Sequence, residues 1–226
     1  LHFTIHSFPT RRSSDLDSPL NPSKGFFLRL QPELVSGDAL SPEIDTFDDS
    51  YLRLTWKSDF FVPLWRSVVL AQSLRLGQVV PFAGRETRVP ADERFFLGGA
   101  GSVRGYQNNS LGPTLNDQPA GGEFLMNYNI EVRFPLVSGA GLRGATFFDT
   151  GLLVDCFDDE DPTLRIGCYA DAFQGQVSDN IRTSAGIGLR YVIAEQIPLL
   201  FDYGIALDRK GNEGIGNLHF HLGYTF

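Results

Sequence analysis

Residues 123–134 read EFLMNYNIEVRF. Tyr128, Ile130, Val132 and Phe134 alternate with Asn127, Asn129, Glu131 and Arg133, the two-residue period of a β-strand. The segment is long for a soluble strand, which usually runs to about five or six residues. It also carries a carboxylate and a guanidinium in its middle. A strand with charge on one face and only apolar groups on the other separates two media, and the identity of those media decides the fold.

The same pattern recurs along the chain. GFFLRLQPEL sets Phe26, Leu28 and Leu30 against Phe27, Arg29 and Gln31, and YLRLTWKSDF sets Leu52, Leu54 and Trp56 against Arg53, Thr55 and Lys57. SVVLAQSLRLGQVV, LRGATFFDTGLLV, RTSAGIGLRYVI, PLLFDYGIALD and NLHFHLGYTF bring the total to eight strands. Helical periodicity is sustained nowhere, and no apolar run reaches the length of a membrane helix, about 18 residues or more. Membrane-spanning strands need no such run, and about ten residues per strand suits a tilted crossing.

The connections sort by length. FVPLWR, PLVSGAG and VIAEQIP are tight, whereas residues 37–50, 83–121, 155–181 and 209–216 are long and polar, and the two kinds alternate. Short turns on one rim and long loops on the other mark an outer-membrane barrel, with its apolar face toward lipid and its polar face toward the lumen. Arg53, Lys57, Arg75, Glu131, Arg133, Arg190 and Asp202 then line the lumen. A soluble lipocalin-like barrel with the apolar face inward stays open as the alternative.

Composition bounds the partners. The 226 residues carry a formal charge of -8, with 19 Phe and 24 Gly beside one Met. No basic patch stands out, which argues against nucleic acid. No zinc spacing, nucleophile motif or phosphate loop is present, so no cofactor, metal or catalytic residue is expected. GAGSVRG misses the dinucleotide spacing and lacks a βαβ context. His219 and His221 read as lumen-facing polar groups, and the acidic run Asp158–Asp161 as a solvated loop. Cys156 and Cys168 flank that acidic stretch as a candidate disulfide formed outside the reducing cytosol. HSFPTRRSSDL, His6–Leu16, resembles the conceptual translation of a sequencing-adapter oligonucleotide. Residues 1–16 are accordingly expected to stand outside the fold, the chain reading as a fragment that starts near Asp17.

The final strand alternates Leu218, Phe220, Leu222, Tyr224 and Phe226, and ends on an aromatic. Such an ending resembles the signal by which bacterial outer-membrane proteins reach their insertion machinery. A wider resemblance covers residues 23–226. ERFFLGGAGSVRGYQNNSLGP, then GGEFLMNYNIEVRFPL, then LRGATFFDTGLLV, resemble the C-terminal half of the barrel in the BamA and TamA assembly factors, also grouped as bacterial surface antigens. The RFFLGG and SLGP segments lie nearer TamA.

That resemblance implies an antiparallel up-and-down transmembrane barrel of about sixteen strands, with the last eight supplied here. It implies that the loop 83–121 folds back into the lumen and that Val103, Arg104, Gly105 and Tyr106 anchor it. Arg104 would meet Glu131 and Asp149 on the wall, with Gly98, Gly99 and Gly101 giving the loop its freedom. The implied function is non-enzymatic insertion or translocation of unfolded outer-membrane proteins across a lateral seam. The implied partners are client chains, outer-membrane lipid and lipopolysaccharide, and periplasmic or inner-membrane factors reached through N-terminal POTRA domains. A two-partner secretion exporter, the barrel of a patatin-like phospholipase fusion and a plain diffusion porin are the competing readings.

Overall fold

A computed structural model describes residues 3–7, 10–37, 50–83, 89–137, 141–155, 180–193, 197–211 and 213–222. Cys156, Cys168, Tyr224 and Phe226 lie outside the described residues.

Eight long strands build one antiparallel sheet: β3 (Gly25–Gly37), β4 (Ser50–Trp65), β5 (Val68–Ala83), β8 (Phe124–Pro135), β9 (Arg143–Val154), β10 (Arg182–Ile193), β11 (Ile197–Ala206) and β12 (Gly216–Leu222). Each pairs with the next in sequence, the up-and-down order. The tight rim begins with a two-residue turn between β4 and β5, where Arg66 (φ 43°) and Ser67 (φ 69°) are both left-handed. That geometry matches the twist of the strands it joins. A short hairpin, β6 (Thr114–Leu115) and β7 (Gln118–Pro119), sits inside the long connection between β5 and β8, turning through left-handed Asn116 and Asp117.

Two further strands, β1 (Phe3–Ser7) and β2 (Arg11–Ser14), run in succession along the outer edge of β3. Ser7 faces Glu33 and Arg11 faces Leu30, so the register along β3 differs by one residue between the two strands. The free edge of a strand offers backbone N–H and C=O groups to any extended segment, whatever its side chains. The β2 side chains are all exposed, consistent with a backbone-driven pairing. Among the described residues the sheet does not close: β1 and β2 end it on one side and β12 on the other.

The sheet is inside out relative to a soluble protein. Trp56 is 38% exposed, Ile187 64% and Leu218 73%, while Glu131 and Asp149 are fully buried. Phe60, Val62, Leu64, Leu189, Tyr191, Phe201, Tyr203, Ile205 and Phe220 join the exposed apolar face. Asn127, Asn129, Arg133, Arg182, Ser184, Arg190 and Asp202 join the buried polar one. This sidedness removes the soluble-barrel alternative, whose apolar face would be buried. An outward apolar band is solvated by hydrocarbon, and the antiparallel ladder satisfies the backbone within it.

The buried apolar residues belong largely to the long connection and the wall beneath it. Val89, Phe95, Leu97, Val103, Tyr106 and Leu111 pack on Val35, Tyr51, Val79, Leu125, Leu153 and Ala206. The loop thus carries its own core into the concave side of the sheet.

Candidate functional site

The connection from β5 to β8 enters and leaves as a paired ribbon, with bridges between Phe95 and Gly122 and between Leu97 and Leu111. At its inner end Gly98 (φ 107°) and Gly99 (φ 96°) reverse the chain in a conformation that a Cβ would disfavour. The turn is closed by Gly98 N–H donating to Ser102 Oγ at 2.9 Å and Gly99 N–H donating to the Val103 carbonyl at 3.2 Å. Gly101 differs from the expectation of a flexibility role. Its φ is not left-handed and a Cβ there would meet open space, so its conformation does not require glycine. Its carbonyl instead accepts a hydrogen bond from Arg75 Nη2 at 3.0 Å.

Val103 and Arg104 lie on β8 and β9. Val103 fills the hollow above Gly151, where a Cβ would come within 2.8 Å of Val103 Cγ2. Arg104 engages all three of its guanidinium nitrogens. Its Nε donates to Asp149 Oδ2 at 2.8 Å, Nη2 to Asp149 Oδ1 at 2.7 Å, and Nη1 to Glu131 Oε2 at 2.7 Å. Its own backbone N–H adds a fourth bond, to Asp149 Oδ2 at 3.0 Å. The Phe147 ring supports the guanidinium from below at 3.5 Å. A planar fork matched to one carboxylate, with one arm left for a second, suits arginine and not lysine.

The charge around it balances. Arg133 Nε donates to Glu131 at 2.8 Å, and Arg190 donates to both Glu131 oxygens at 3.0 and 2.6 Å. Asp202 stands 3.5 Å from Arg104 Nη1 and 2.7 Å from Arg190 Nη1, the latter an ion contact rather than an aligned hydrogen bond. Three guanidinium groups therefore meet three carboxylates in one buried cluster. Burial by itself lowers the pKa of Arg104. The hydrogen bonds and charge of Asp149, with Glu131 and Asp202, reverse that and hold it above the ordinary arginine value.

Sequence reasoning placed Arg133, Arg190 and Asp202 in the lumen without assigning them to this cluster. It also missed the hollow that receives the loop. Glu131, Phe147, Gly186, Gly204 and Asn217 stand in one row across β8 to β12. The Phe147 ring covers Gly186, where a Cβ would come within 2.4 Å of it. A Cβ on Gly204 would come within 2.5 Å of Gly105 N, so loop and wall touch backbone to backbone. The signal was present as glycines inside strands, which often mark close approach by another chain segment.

Gly105 and Tyr106 continue the loop toward the last strands. Asn217 Nδ2 donates to the Gly105 carbonyl at 2.7 Å, and Gly105 N–H lies 3.4 Å from His219 Nε2. Tyr106 is buried, with its hydroxyl directed at Asp208 and the Thr183 carbonyl. At the other end of the site, Phe220 and Leu222 of β12 face outward with the exposed apolar band.

Comparison with known proteins agrees with this architecture. Residues 10–226 match the Omp85 superfamily domain. The chain is 27% identical over 227 residues to the outer membrane protein assembly factor BamA of Neisseria meningitidis serogroup B, covering 93% of this chain and 27% of that protein. It is 27% identical over 216 residues to the sorting and assembly machinery component 50 homolog A of Xenopus laevis, covering 91% of this chain and 42% of that one. The solved structure of BamA from Haemophilus ducreyi lacking POTRA domains 1–3 superimposes with a TM-score of 0.71 at 21% identity, over 95% of this chain and 41% of the other. The chain thus spans less than half the length of these relatives. With the fold, the lipid-facing band and the domain match in agreement, this chain belongs to the Omp85 superfamily and forms part of its transmembrane β-barrel.

Proposed function

We propose that this chain is the C-terminal half of the barrel of a bacterial outer-membrane protein assembly factor, and that the whole protein inserts unfolded client proteins into that membrane. The single observation that carries the reading is the seating of Arg104 among Glu131, Asp149 and Asp202. It ties a long loop to carboxylates on three strands of the wall, β8, β9 and β11, an expense of buried charge that a diffusion pore has no use for. The named relatives are assembly components, which favours assembly over dedicated export.

In this reading residues 17–226 are the barrel portion, the loop braces its inner wall, and no covalent bond is made or broken. The free edge of β12 templates an incoming strand by backbone pairing, as exposed edges do. Periplasmic POTRA domains elsewhere in the protein receive the clients, and lipid and lipopolysaccharide surround the outward apolar band. A closer kinship with TamA than with BamA belongs to the same proposal and rests on the segments Arg94–Gly99 and Ser110–Pro113.

The test is complementation with Arg104→Ala in the full-length protein. The expected result is a correctly localised barrel that no longer supports assembly of a reporter outer-membrane protein. Full complementation by this variant sinks the anchoring role.

A further inference from the structure

The Val103–Tyr106 segment grips two separate parts of the wall, and the second grip has a logic of its own. Tyr106 is 3% exposed, and the Arg182 guanidinium lies 5.0 Å from its ring centroid. Its hydroxyl has one proton to donate. Asp208 receives it, and the Thr183 carbonyl stands at 3.2 Å. Asp208 lies in the connection just beyond β11. Its Oδ2 accepts from the Thr183 backbone N–H at 2.8 Å and from Thr183 Oγ1 at 3.1 Å.

The rest of that connection hangs on the same residues. Leu207 N–H donates to the Thr183 carbonyl at 3.0 Å. Arg182 reaches Asp208 at 3.7 Å and also bridges to Glu213, which in turn accepts from Lys210 N–H at 2.9 Å. Four residues beyond Glu213, Asn217 at the start of β12 donates to the Gly105 carbonyl. Among the described residues β12 pairs only with β11, over Leu199–Ile205. A strand held on one side has few bonds to lose before it frays. The loop adds two contacts to that ladder, Asn217 to the Gly105 carbonyl and Gly105 N–H to His219.

We propose that Gly105 and Tyr106 form a latch for the C-terminal hairpin, in which Asp208 and Asn217 are positioning residues that fix edge strand β12 through the loop. The latch is distinct from the Arg104 cluster, which grips β8 to β11 by charge. The specific element is the tyrosine hydroxyl: a phenylalanine would fill the same space but leave Asp208 with Thr183 and Arg182 alone. Burial, followed by the Asp208 hydrogen bond, raises the pKa of the phenol above its ordinary value, so the donor keeps its proton across the physiological range.

The inference goes beyond the assembly reading and is tested without it, by backbone hydrogen exchange on the full-length protein in detergent micelles. Tyr106→Phe, Asp208→Ala and their double variant are compared with the parent, and Asn217→Ala provides an independent probe of the same latch. Loss of a hydrogen bond to a charged acceptor is expected to speed exchange in residues 207–222 by about tenfold in Tyr106→Phe. Peptides from β8 and β9 should keep the parent rate, and the double variant should exceed Asp208→Ala little, because that change already removes the bond to Tyr106 along with those to Thr183. Unchanged exchange in residues 207–222 for both Tyr106→Phe and Asn217→Ala overturns the latch. An equal rise in β8 and β9 also overturns it, since that signals a loop displaced as a whole. Should Asp208→Ala fail to fold, Tyr106→Phe and Asn217→Ala decide the question between them. Lost assembly with unchanged exchange would strike this inference and leave the proposed function standing.

Discussion

Gly105 and Gly204 meet backbone to backbone, with no side chain between the loop and β11. Neither position has room for more: a Cβ on Gly105 would lie 3.1 Å from the Gly204 carbonyl carbon, and its φ of 104° disfavours one in any case. The contact sets the depth to which Arg104 can descend toward Asp149.

Gly204→Ala is therefore expected to lift the loop, because its methyl falls 2.5 Å from Gly105 N and 2.6 Å from the Arg104 carbonyl carbon. Overpacking of this kind costs roughly 1–3 kcal/mol. Limited trypsin digestion of the folded protein reads the outcome, as cleavage after Arg104 requires a displaced loop. Gly101→Ala is the control, since its methyl would enter open space, and its digestion should match the parent.

Glu131→Gln leaves three arginines around a neutral amide. Glu131 is the acceptor shared by Arg104, Arg133 and Arg190, so the loss should resemble breaking a buried ion pair, about 3–5 kcal/mol. A lower thermal unfolding midpoint in detergent is the expected readout. Adding Arg133→Met should recover part of it by removing one uncompensated charge. No recovery in that double variant would count against the charge-balance account.

Leu189 is exposed on the outward face between Ile187 and Tyr191, while Arg190 beside it points inward and is buried. Leu189→Arg should cost about 2–4 kcal/mol if it lies near the bilayer midplane. Leu189→Phe should be neutral. The fraction of heat-modifiable, folded protein in outer-membrane preparations distinguishes the two.

Deletion of Phe226 tests the terminal alternation, whose last residues lie outside the described part of the chain. Lower amounts of the protein itself in the outer membrane are expected. Unchanged amounts would remove the terminal signal from the reading.

The architecture was legible because two-residue alternation and loop-length asymmetry are local properties. EFLMNYNIEVRF and YLRLTWKSDF each announce a two-faced strand without reference to any other segment. Which face is wet was harder to read, since the same alternation serves a soluble barrel; the exposure of Trp56, Ile187 and Leu218 decided it. The placement of Phe3–Ser7 and Arg11–Ser14 along β3 was not legible at all, because edge pairing is made by backbone groups that every sequence carries.

For the site, chain order already places an arginine between a valine and a glycine in a long loop, and carboxylates on the polar face of later strands. The tertiary structure alone decided which of them meet. Arg104 is 45 residues from Asp149, 27 from Glu131 and 98 from Asp202, separations over which chain order sets no distance. Register across β8 to β12 lines up Glu131, Phe147, Gly186, Gly204 and Asn217 in one row; the Phe147 ring fills the space over Gly186, and the hollow over Gly204 receives the loop. A hollow is a property of neighbouring strands together. It exists once hydrogen bonding has fixed which residue stands beside which.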